Sequence, residues 1–287
     1  MRSLLLALLL AASPLAPAQF DFGRIINKAI DTTKKLQEAN RDFTTDEEIE
    51  LGNGITAGFL GAARLHPDQN LQRYVNRVGK WVAMHSERSE LPWNFGVIDA
   101  ETINAFAMPG GSVLVSHGLV KRLQSESELA AVLAHEIAHV VKKHQLSAIQ
   151  SSLNSDVLAG FGKEAAGRAV ARRGDVMGLG GKAANVGVDA LKNGVFLRPL
   201  DRGMEYDADR MAVVLATRAG YDPYGLVAVM QTLAQVKGDG SGASIFDTHP
   251  SPSDRLGELE QFVPRTLDQY ASQPHNAARF RQVVNSR

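Results

Sequence analysis

The chain has 287 residues, which suits one domain or slightly more, and 44% of them are apolar, as in globular proteins with a packed core. Lysine plus arginine and aspartate plus glutamate both number 31, so the formal net charge is zero. This charge balance gives no indication that the protein binds nucleic acid or a charged membrane surface. Aromatic residues are few and glycines number 26, which favours small-residue helix packing over a β-sandwich.

Residues 1–18 have the pattern of a secretory signal peptide. Arg2 precedes a short apolar stretch at 4–12, and a small-residue cleavage motif ends at Ala18. The apolar stretch is too short to span a bilayer, so we expect export without stable membrane insertion. The chain has no cysteine, which excludes disulfides and acylation on cysteine. We expect a periplasmic protein, with full secretion as second choice, in which residues 19–287 form one domain.

The next part of the chain is predicted to be helical. Apolar residues recur there at helical spacing. Thr45-Asp-Glu-Glu48 has the form of a capping box, which would open the second helix. The predicted helices cover residues 20–41, 45–63 and 71–86.

Short extended segments follow from Trp93 onwards. Three runs of four residues suit β-strands, at 95–98, 104–107 and 112–115. Between the last two lies Met108-Pro-Gly-Gly111, with proline at the second position of the turn and glycine at the third. This is type II turn chemistry and predicts a β-hairpin.

A predicted helix after Ser125 carries the sequence His135-Glu-Ile-Ala-His139. Residues i and i+4 share a helix face, so the two imidazoles can reach one zinc ion, and Glu136 can act as general base on a water bound to it. The alternative is two helical histidines that merely lie near a core. Ser125 and Glu128 are predicted to cap the helix, and His144 is predicted to point away from the metal and lie on the surface.

The segment 157–191 is rich in glycine, alanine and arginine, and it has no uncharged apolar run long enough to span a membrane. A flap or plug over the site and a plain loose loop both remain open for it. Helices are then predicted at 203–219, where Gly220 ends the first of them, at 222–236 and at 256–262, followed by a helical tail.

A catalytic zinc site needs a third protein ligand. Glu205 and Asp209 lie four residues apart on a predicted helix and face the same way. Glu205 would bind the metal, and Asp209 would accept a ring N–H from a ligand histidine. The alternative is that both carboxylates lie on a solvated helix face.

Four motifs together carry a family resemblance. The motifs are His135-Glu-Ile-Ala-His139, Arg202-x-x-Glu205-Tyr-Asp-Ala-Asp209, Ala219-Gly-Tyr-Asp-Pro223 and His249-Pro-x-x-x-Asp-Arg255. With these motifs the chain resembles the gluzincin zinc peptidases of HtpX and the CAAX prenyl endopeptidases, metallopeptidase family 48, over about residues 45–255. The segments 74–79 and 104–111 are similar to the soluble periplasmic branch typified by LoiP and BepA.

The resemblance implies an α+β fold: a mainly helical metallopeptidase domain with one small sheet and an active-site edge strand. It also implies one zinc ion per chain. From the residues alone, His249 could equally be a turn residue beside a proline. The implied site residues are His135, His139 and Glu205 as ligands, Glu136 as base, His249 at the oxyanion, Asp209 and Arg255 behind the ligands, and Asn104, Ala105 and Phe106 along the substrate.

The function implied is a zinc-dependent endopeptidase that cleaves misfolded or misassembled cell-envelope proteins, with possible contact to outer-membrane or envelope assembly machinery. A periplasmic chaperone or assembly factor with latent proteolysis is the main alternative, and a hydrolase of cell-wall peptides is a weaker one. Two departures from the family stand out. Asp201 occupies a position where serine is usual, and the roughly thirty residues after Arg255 are too few for tetratricopeptide repeats.

Overall fold

The computed structural model describes residues 42–154, 200–236, 249 and 251–285. Its first helix, α1 (Thr45–Ala62), begins after Thr44. The Thr44 side chain accepts a hydrogen bond from the Glu47 N–H at 3.3 Å, and the Glu47 carboxylate accepts from the Thr44 N–H at 2.9 Å. The capping box therefore lies one residue earlier than predicted. Both Thr-x-x-Glu registers are present in the sequence, so spacing alone could not choose between them.

Helix α2 (Gln69–Ala83) begins after Asp68, whose carboxylate accepts from two N–H groups of the first turn. The predicted strands follow it, with bounds shifted by about one residue. The hairpin is confirmed: β2 and β3 are antiparallel, and Gly110 has a φ of 78° in the turn. Strand β1 pairs in parallel with β3, so the sheet order is β1-β3-β2. The strands are β1 (Asn94–Ile98), β2 (Ala105–Met108) and β3 (Ser112–Ser116).

The remaining described elements are helical. Together with the three-stranded sheet they confirm the predicted α+β class. They are α3 (His117–Val120), α4 (Glu126–Val141), α5 (His144–Asn154), α6 (Arg202–Arg218), α7 (Gly225–Val236), α8 (Pro252–Leu267), a 3₁₀ turn (Asp268–Tyr270) and α9 (Ala277–Val284).

Helix bounds differ from the predictions where a cap decides them. Helix α8 begins at Pro252 instead of residue 256, because Ser251 accepts from the Asp254 N–H and proline suits the first helical position. Helix α6 ends as predicted, before Gly220, whose φ of 86° is readily available only to glycine.

The core has two parts, one on each face of the sheet. The larger part surrounds α4 and includes Val113 and Val115 of β3, whereas Leu114 faces the smaller part beneath α1. This alternation follows from the two-residue period of a strand. Helix α4 contacts α2, α6, α7 and α9 and is buried from Glu126 to Val140.

The C-terminal helix is joined to the start of α4 through a buried carboxylate. Glu126 accepts hydrogen bonds from the hydroxyls of Tyr74 at 2.5 Å and Tyr221 at 3.0 Å. Arg279 of α9 completes the cluster, with its Nε 2.6 Å from the same carboxylate. A buried carboxylate needs such partners, so α9 contributes to the stability of α4.

Several predictions fall outside the described residues: the signal peptide at 1–18, the helix at 20–41 and the flap, plug or loop at 157–191. Within the described ranges, the helices are all too short or too polar to cross a bilayer.

Two glycines of α1 provide a matched test of the packing between α1 and the hairpin turn. A Cβ at Gly52 would lie 1.7 Å from the carbonyl oxygen of Pro109, whereas a Cβ at Gly61 would have no atom within 4 Å. We expect Gly52→Ala to destabilise the protein by about 1–3 kcal/mol through overpacking. Gly61→Ala should instead stabilise it by up to about 1 kcal/mol through helix propensity. Urea denaturation of both variants measures the difference; equal effects would contradict the close approach of α1 to the turn.

Candidate metal centre

Helix α4 carries His135, Glu136 and His139 in a fully buried setting. Its predicted N-cap is confirmed, because the Ser125 hydroxyl accepts from the Glu128 N–H at 3.2 Å. The second half of the predicted capping box differs: the Glu128 carboxylate accepts from the N–H of residue 124, not of Ser125. The helical spacing brings the Nε2 atoms of His135 and His139 to 3.0 Å from each other.

Helix α6 packs directly against α4 and brings Glu205 to the two histidines. Asp201, the residue that departs from the serine usual in the family, caps this helix by accepting from the Gly203 N–H at 2.8 Å. The Glu205 carboxylate oxygens lie 3.5 Å from Nε2 of His135 and 3.6 Å from Nε2 of His139. Glu205 is completely buried, which excludes the solvated-face alternative for it.

Asp209 and Arg255 lie behind His135. The Asp209 carboxylate is 2.9 Å from Nδ1 of His135 and also accepts from Nε and Nη2 of Arg255 at 2.8 and 2.5 Å. Arg255 Nη2 lies 3.2 Å from the same ring nitrogen. The carboxylate contact is the shorter, so we infer that Nδ1–H of His135 donates a hydrogen bond to Asp209. In the neutral ring, Nε2 then carries the lone pair and directs it into the site.

His249 completes the cluster from the segment before α8. Its Nδ1 lies 2.7 Å from Oε2 of Glu205, and it is buried. His249 is therefore in contact with the proposed metal ligand Glu205 and shielded from solvent.

The four side chains fit a metal ion. His135, His139, Glu205 and His249 are all buried and offer ligand atoms within 4.8 Å of one another. Oε1 of Glu205 is buried yet makes no hydrogen bond within the described ranges. A buried carboxylate oxygen without a donor is unfavourable unless a cation lies beside it. Imidazole nitrogens with a carboxylate oxygen are a donor set that divalent transition metals prefer.

Burial shifts the pKa values of the site residues. Burial alone would lower the pKa of His135, but hydrogen bonds to Asp209 and Glu205 outweigh it and raise that pKa to about 9. Burial lowers the pKa of His139 well below its ordinary value. Burial would raise the pKa of Glu205, but the surrounding histidines outweigh it and lower that pKa. The site therefore favours an ionised Glu205 and a neutral His139, the forms that bind a metal, whereas His135 must lose a proton before its Nε2 can bind one.

Glu136 lies beside the cluster without belonging to it. Its Oε1 is buried and has no hydrogen-bond partner among the described residues. Burial raises the pKa of this carboxyl, and it is close enough to His135, His249 and Glu205 for their charges to act on it. A carboxylate of raised pKa next to a metal site suits a group that takes up a proton.

The prediction for His144 is wrong. The residue is only 7% exposed, and its Nδ1 lies 3.0 Å from Nδ1 of His139. The helix does not continue through this region: α4 ends at Val141, and Lys143 adopts a left-handed φ of 56° before α5 begins. Neither glycine nor proline marks the break, so the sequence carried no signal for it.

The predicted substrate-binding segment lies at one edge of the sheet. Strand β2 contains Ala105 and Phe106, and its outer edge pairs with none of the described strands. Asn104 comes directly before it and is completely buried. Its Oδ1 accepts from the Ala105 N–H at 2.9 Å, whereas its Nδ2 has no partner among the described residues.

The chain is similar to known peptidases. The model of peptidase family M48 matches residues 69–263, a range that contains both helices of the cluster and Arg255. The beta-barrel assembly-enhancing protease of Escherichia coli (strain K12) is 29% identical over 228 residues, which are 77% of this chain and 44% of that protein. The chain thus spans less than half the length of this relative.

Two further relatives carry peptidase names. The mitochondrial metalloendopeptidase OMA1 of Schizosaccharomyces pombe is 32% identical over 192 residues, which are 67% of this chain and 52% of that protein. The metalloprotease YcaL of Escherichia coli (strain K12) is 25% identical over 263 residues, which are 91% of this chain and 96% of that protein. The family match covers well over half of the sequence, and this chain therefore belongs to peptidase family M48.

Proposed function

We propose that the chain is a zinc metalloendopeptidase that cleaves peptide bonds of cell-envelope proteins. The observation that carries this proposal is the convergence of three histidines and a glutamate within 4.8 Å in the core, with the free carboxylate of Glu136 beside them. An ordinary core rarely buries this many titratable groups together, and Oε1 of Glu205 and Oε1 of Glu136 have no hydrogen-bond partner among the described residues.

His135, His139 and Glu205 would hold the zinc ion. When bound, zinc supplies a Lewis acid that polarises the scissile carbonyl and makes water a stronger acid. Asp209 orients His135 by accepting its Nδ1 proton, and Arg255 holds the Asp209 carboxylate in position through two hydrogen bonds. His135, Asp209 and Arg255 are all buried, so these hydrogen bonds hold the His135 ring and the Asp209 carboxylate in one orientation.

Glu136 is the proposed general base. It would take a proton from the attacking water and pass it to the leaving amine. Both transfers are easier when the carboxyl group has a pKa closer to neutrality than that of an exposed glutamate, and burial raises the pKa of Glu136 in that direction.

His249 is proposed to stabilise the oxyanion of the tetrahedral intermediate. Its Nδ1 donates to Oε2 of Glu205 at 2.7 Å, which orients the ring, and Nε2 would donate to the oxyanion when it carries a proton as well. His249 also lies within the group of possible ligands, so the variants that test the ligands must include one at His249.

The substrate is proposed to bind along β2 by strand addition. An extended polypeptide could pair with the backbone groups of this edge, which pair with none of the described strands, and Asn104, Ala105 and Phe106 would be its contacts. Recognition through the backbone tolerates many side chains, which suits an endopeptidase acting on misfolded or misassembled proteins.

An envelope location is proposed from two observations. The amino-terminal sequence has the pattern of an exported protein, and relatives are named for enhancing β-barrel assembly. The name of these relatives also favours a second candidate: an assembly factor or chaperone with latent proteolysis, in contact with envelope assembly machinery.

The first experiment measures metal and activity on the same preparation. We expect the purified chain to carry about one zinc per molecule by mass spectrometry of the metal, and to cleave casein. A chelator should abolish cleavage, and added zinc should restore it. A protein that cleaves casein after complete removal of metal would overturn the proposed chemistry, and a protein that contains a different metal would overturn the assignment of zinc.

A further inference from the structure

The two histidines of α4 are held by different kinds of partner. Nδ1 of His135 faces the Asp209 carboxylate at 2.9 Å. Nδ1 of His139 faces Nδ1 of His144 at 3.0 Å, and both rings are buried. The family chemistry proposed above makes use of the first contact but gives no role to the second.

The two Nδ1 atoms can share only one proton. A neutral imidazole has one nitrogen that donates and one that accepts. Nε2 of His139 points toward Nε2 of His135 and Oε1 of Glu205, at 3.0 and 3.6 Å. If this Nε2 is to bind a metal it must keep its lone pair, so Nδ1 of His139 carries the proton. Nδ1 of His144 is then the acceptor.

An unusual backbone conformation brings His144 to this point. On a continuous helix, the residue five positions after His139 would be rotated by about 140° from it. Instead α4 ends at Val141 and Lys143 adopts a φ of 56°, which turns the chain so that His144 opens α5 facing back toward His139. A left-handed conformation is disfavoured for lysine and persists only where the surrounding structure requires it.

We propose that His144 is a positioning residue of the metal site. It accepts a hydrogen bond from Nδ1–H of His139 and thereby directs Nε2 of His139 to the metal. It does for His139 what Asp209 does for His135, with a neutral acceptor in place of a carboxylate. This inference rests on the proposed metal site and adds a residue to it.

The experiment compares zinc affinity in two full-length variants by competition with a chromophoric chelator. His144→Leu keeps the volume but removes the acceptor, and it should weaken zinc binding by about 10–100-fold. His144→Asn keeps an acceptor oxygen close to the position of Nδ1, and it should remain within a few-fold of the wild type. Circular dichroism checks that both are folded.

A second pair of variants changes the backbone and leaves both rings intact. Glycine tolerates a positive φ and a β-branched residue does not, so Lys143→Gly should keep wild-type zinc affinity while Lys143→Val lowers it. This pair tests the inference even if His144→Leu fails to fold.

The outcomes separate this inference from the proposed function. Wild-type zinc affinity in a folded His144→Leu, or an equal loss in His144→Asn and His144→Leu, would overturn the role of His144 and leave the metal site standing. Equal affinities in Lys143→Gly and Lys143→Val would likewise overturn it. Absence of zinc binding in the wild type would overturn the proposed function and this inference together.

Discussion

Glu136→Gln is expected to lower peptide cleavage by about 10²–10⁴-fold and to leave zinc content and folding unchanged. The amide has nearly the same shape as the carboxylate but cannot take a proton from water. Glu136 makes no hydrogen bond that the substitution would break among the described residues, and it lies outside the group of possible ligands. Casein cleavage, metal analysis and thermal unfolding of the variant measure the three quantities.

Glu128→Gln is the matched control, since Glu128 is a buried glutamate of the same helix, about 12 Å along its axis from Glu136. Its carboxylate accepts a backbone N–H at 2.8 Å, which an amide oxygen can also do, so cleavage should persist. Normal turnover in Glu136→Gln would remove this residue from the mechanism.

The Glu136→Gln variant also distinguishes a protease from an assembly factor. In a strain that lacks the protein and shows an envelope-stress defect, the variant fails to rescue if proteolysis is the function. Rescue by a variant that no longer cleaves would mean that the chemistry is correctly assigned and that the biological role is the alternative, a chaperone or assembly factor.

Glu205→Ala is expected to lose both zinc and activity, because it removes a direct bond to the metal. His139→Ala should behave in the same way. Asp209→Ala removes only the acceptor of the His135 ring proton and should reduce affinity or activity by about 10–100-fold, while keeping more metal than either ligand variant. Metal analysis after dialysis against a weak chelator ranks the variants.

Two results would revise the ligand assignment. Complete loss of metal in Asp209→Ala with retention in Glu205→Ala would exchange the two roles on α6. His249→Ala should keep zinc and lose turnover if this residue acts at the oxyanion. Loss of zinc in His249→Ala would instead make it a fourth ligand, which its distance of 2.7 Å from Glu205 permits.

The sequence alone determined the features that depend on local spacing. His135 and His139 share a helix face because they are four residues apart, and Glu205 and Asp209 do so for the same reason. The hairpin between β2 and β3 followed from Pro109 and Gly110, whose backbone preferences match a type II turn. These features need no knowledge of distant contacts.

Only the tertiary structure decided which faces meet. Asp209 and Arg255 are 46 residues apart, yet they form a buried ion pair because α6 and α8 pack together. The parallel pairing of β1 with β3 likewise depends on long-range packing, and periodicity gives no sign of it.

His144 marks the limit of local reasoning most clearly. An uninterrupted helix would have directed it away from the site, and neither Lys142 nor Lys143 signals a break. The left-handed conformation of Lys143 is unfavourable by itself, so it requires support from the surrounding structure, and it places His144 3.0 Å from His139. Local spacing therefore determined the two pairs of site residues, His135 with His139 and Glu205 with Asp209, whereas the packing of separate segments determined how these pairs meet.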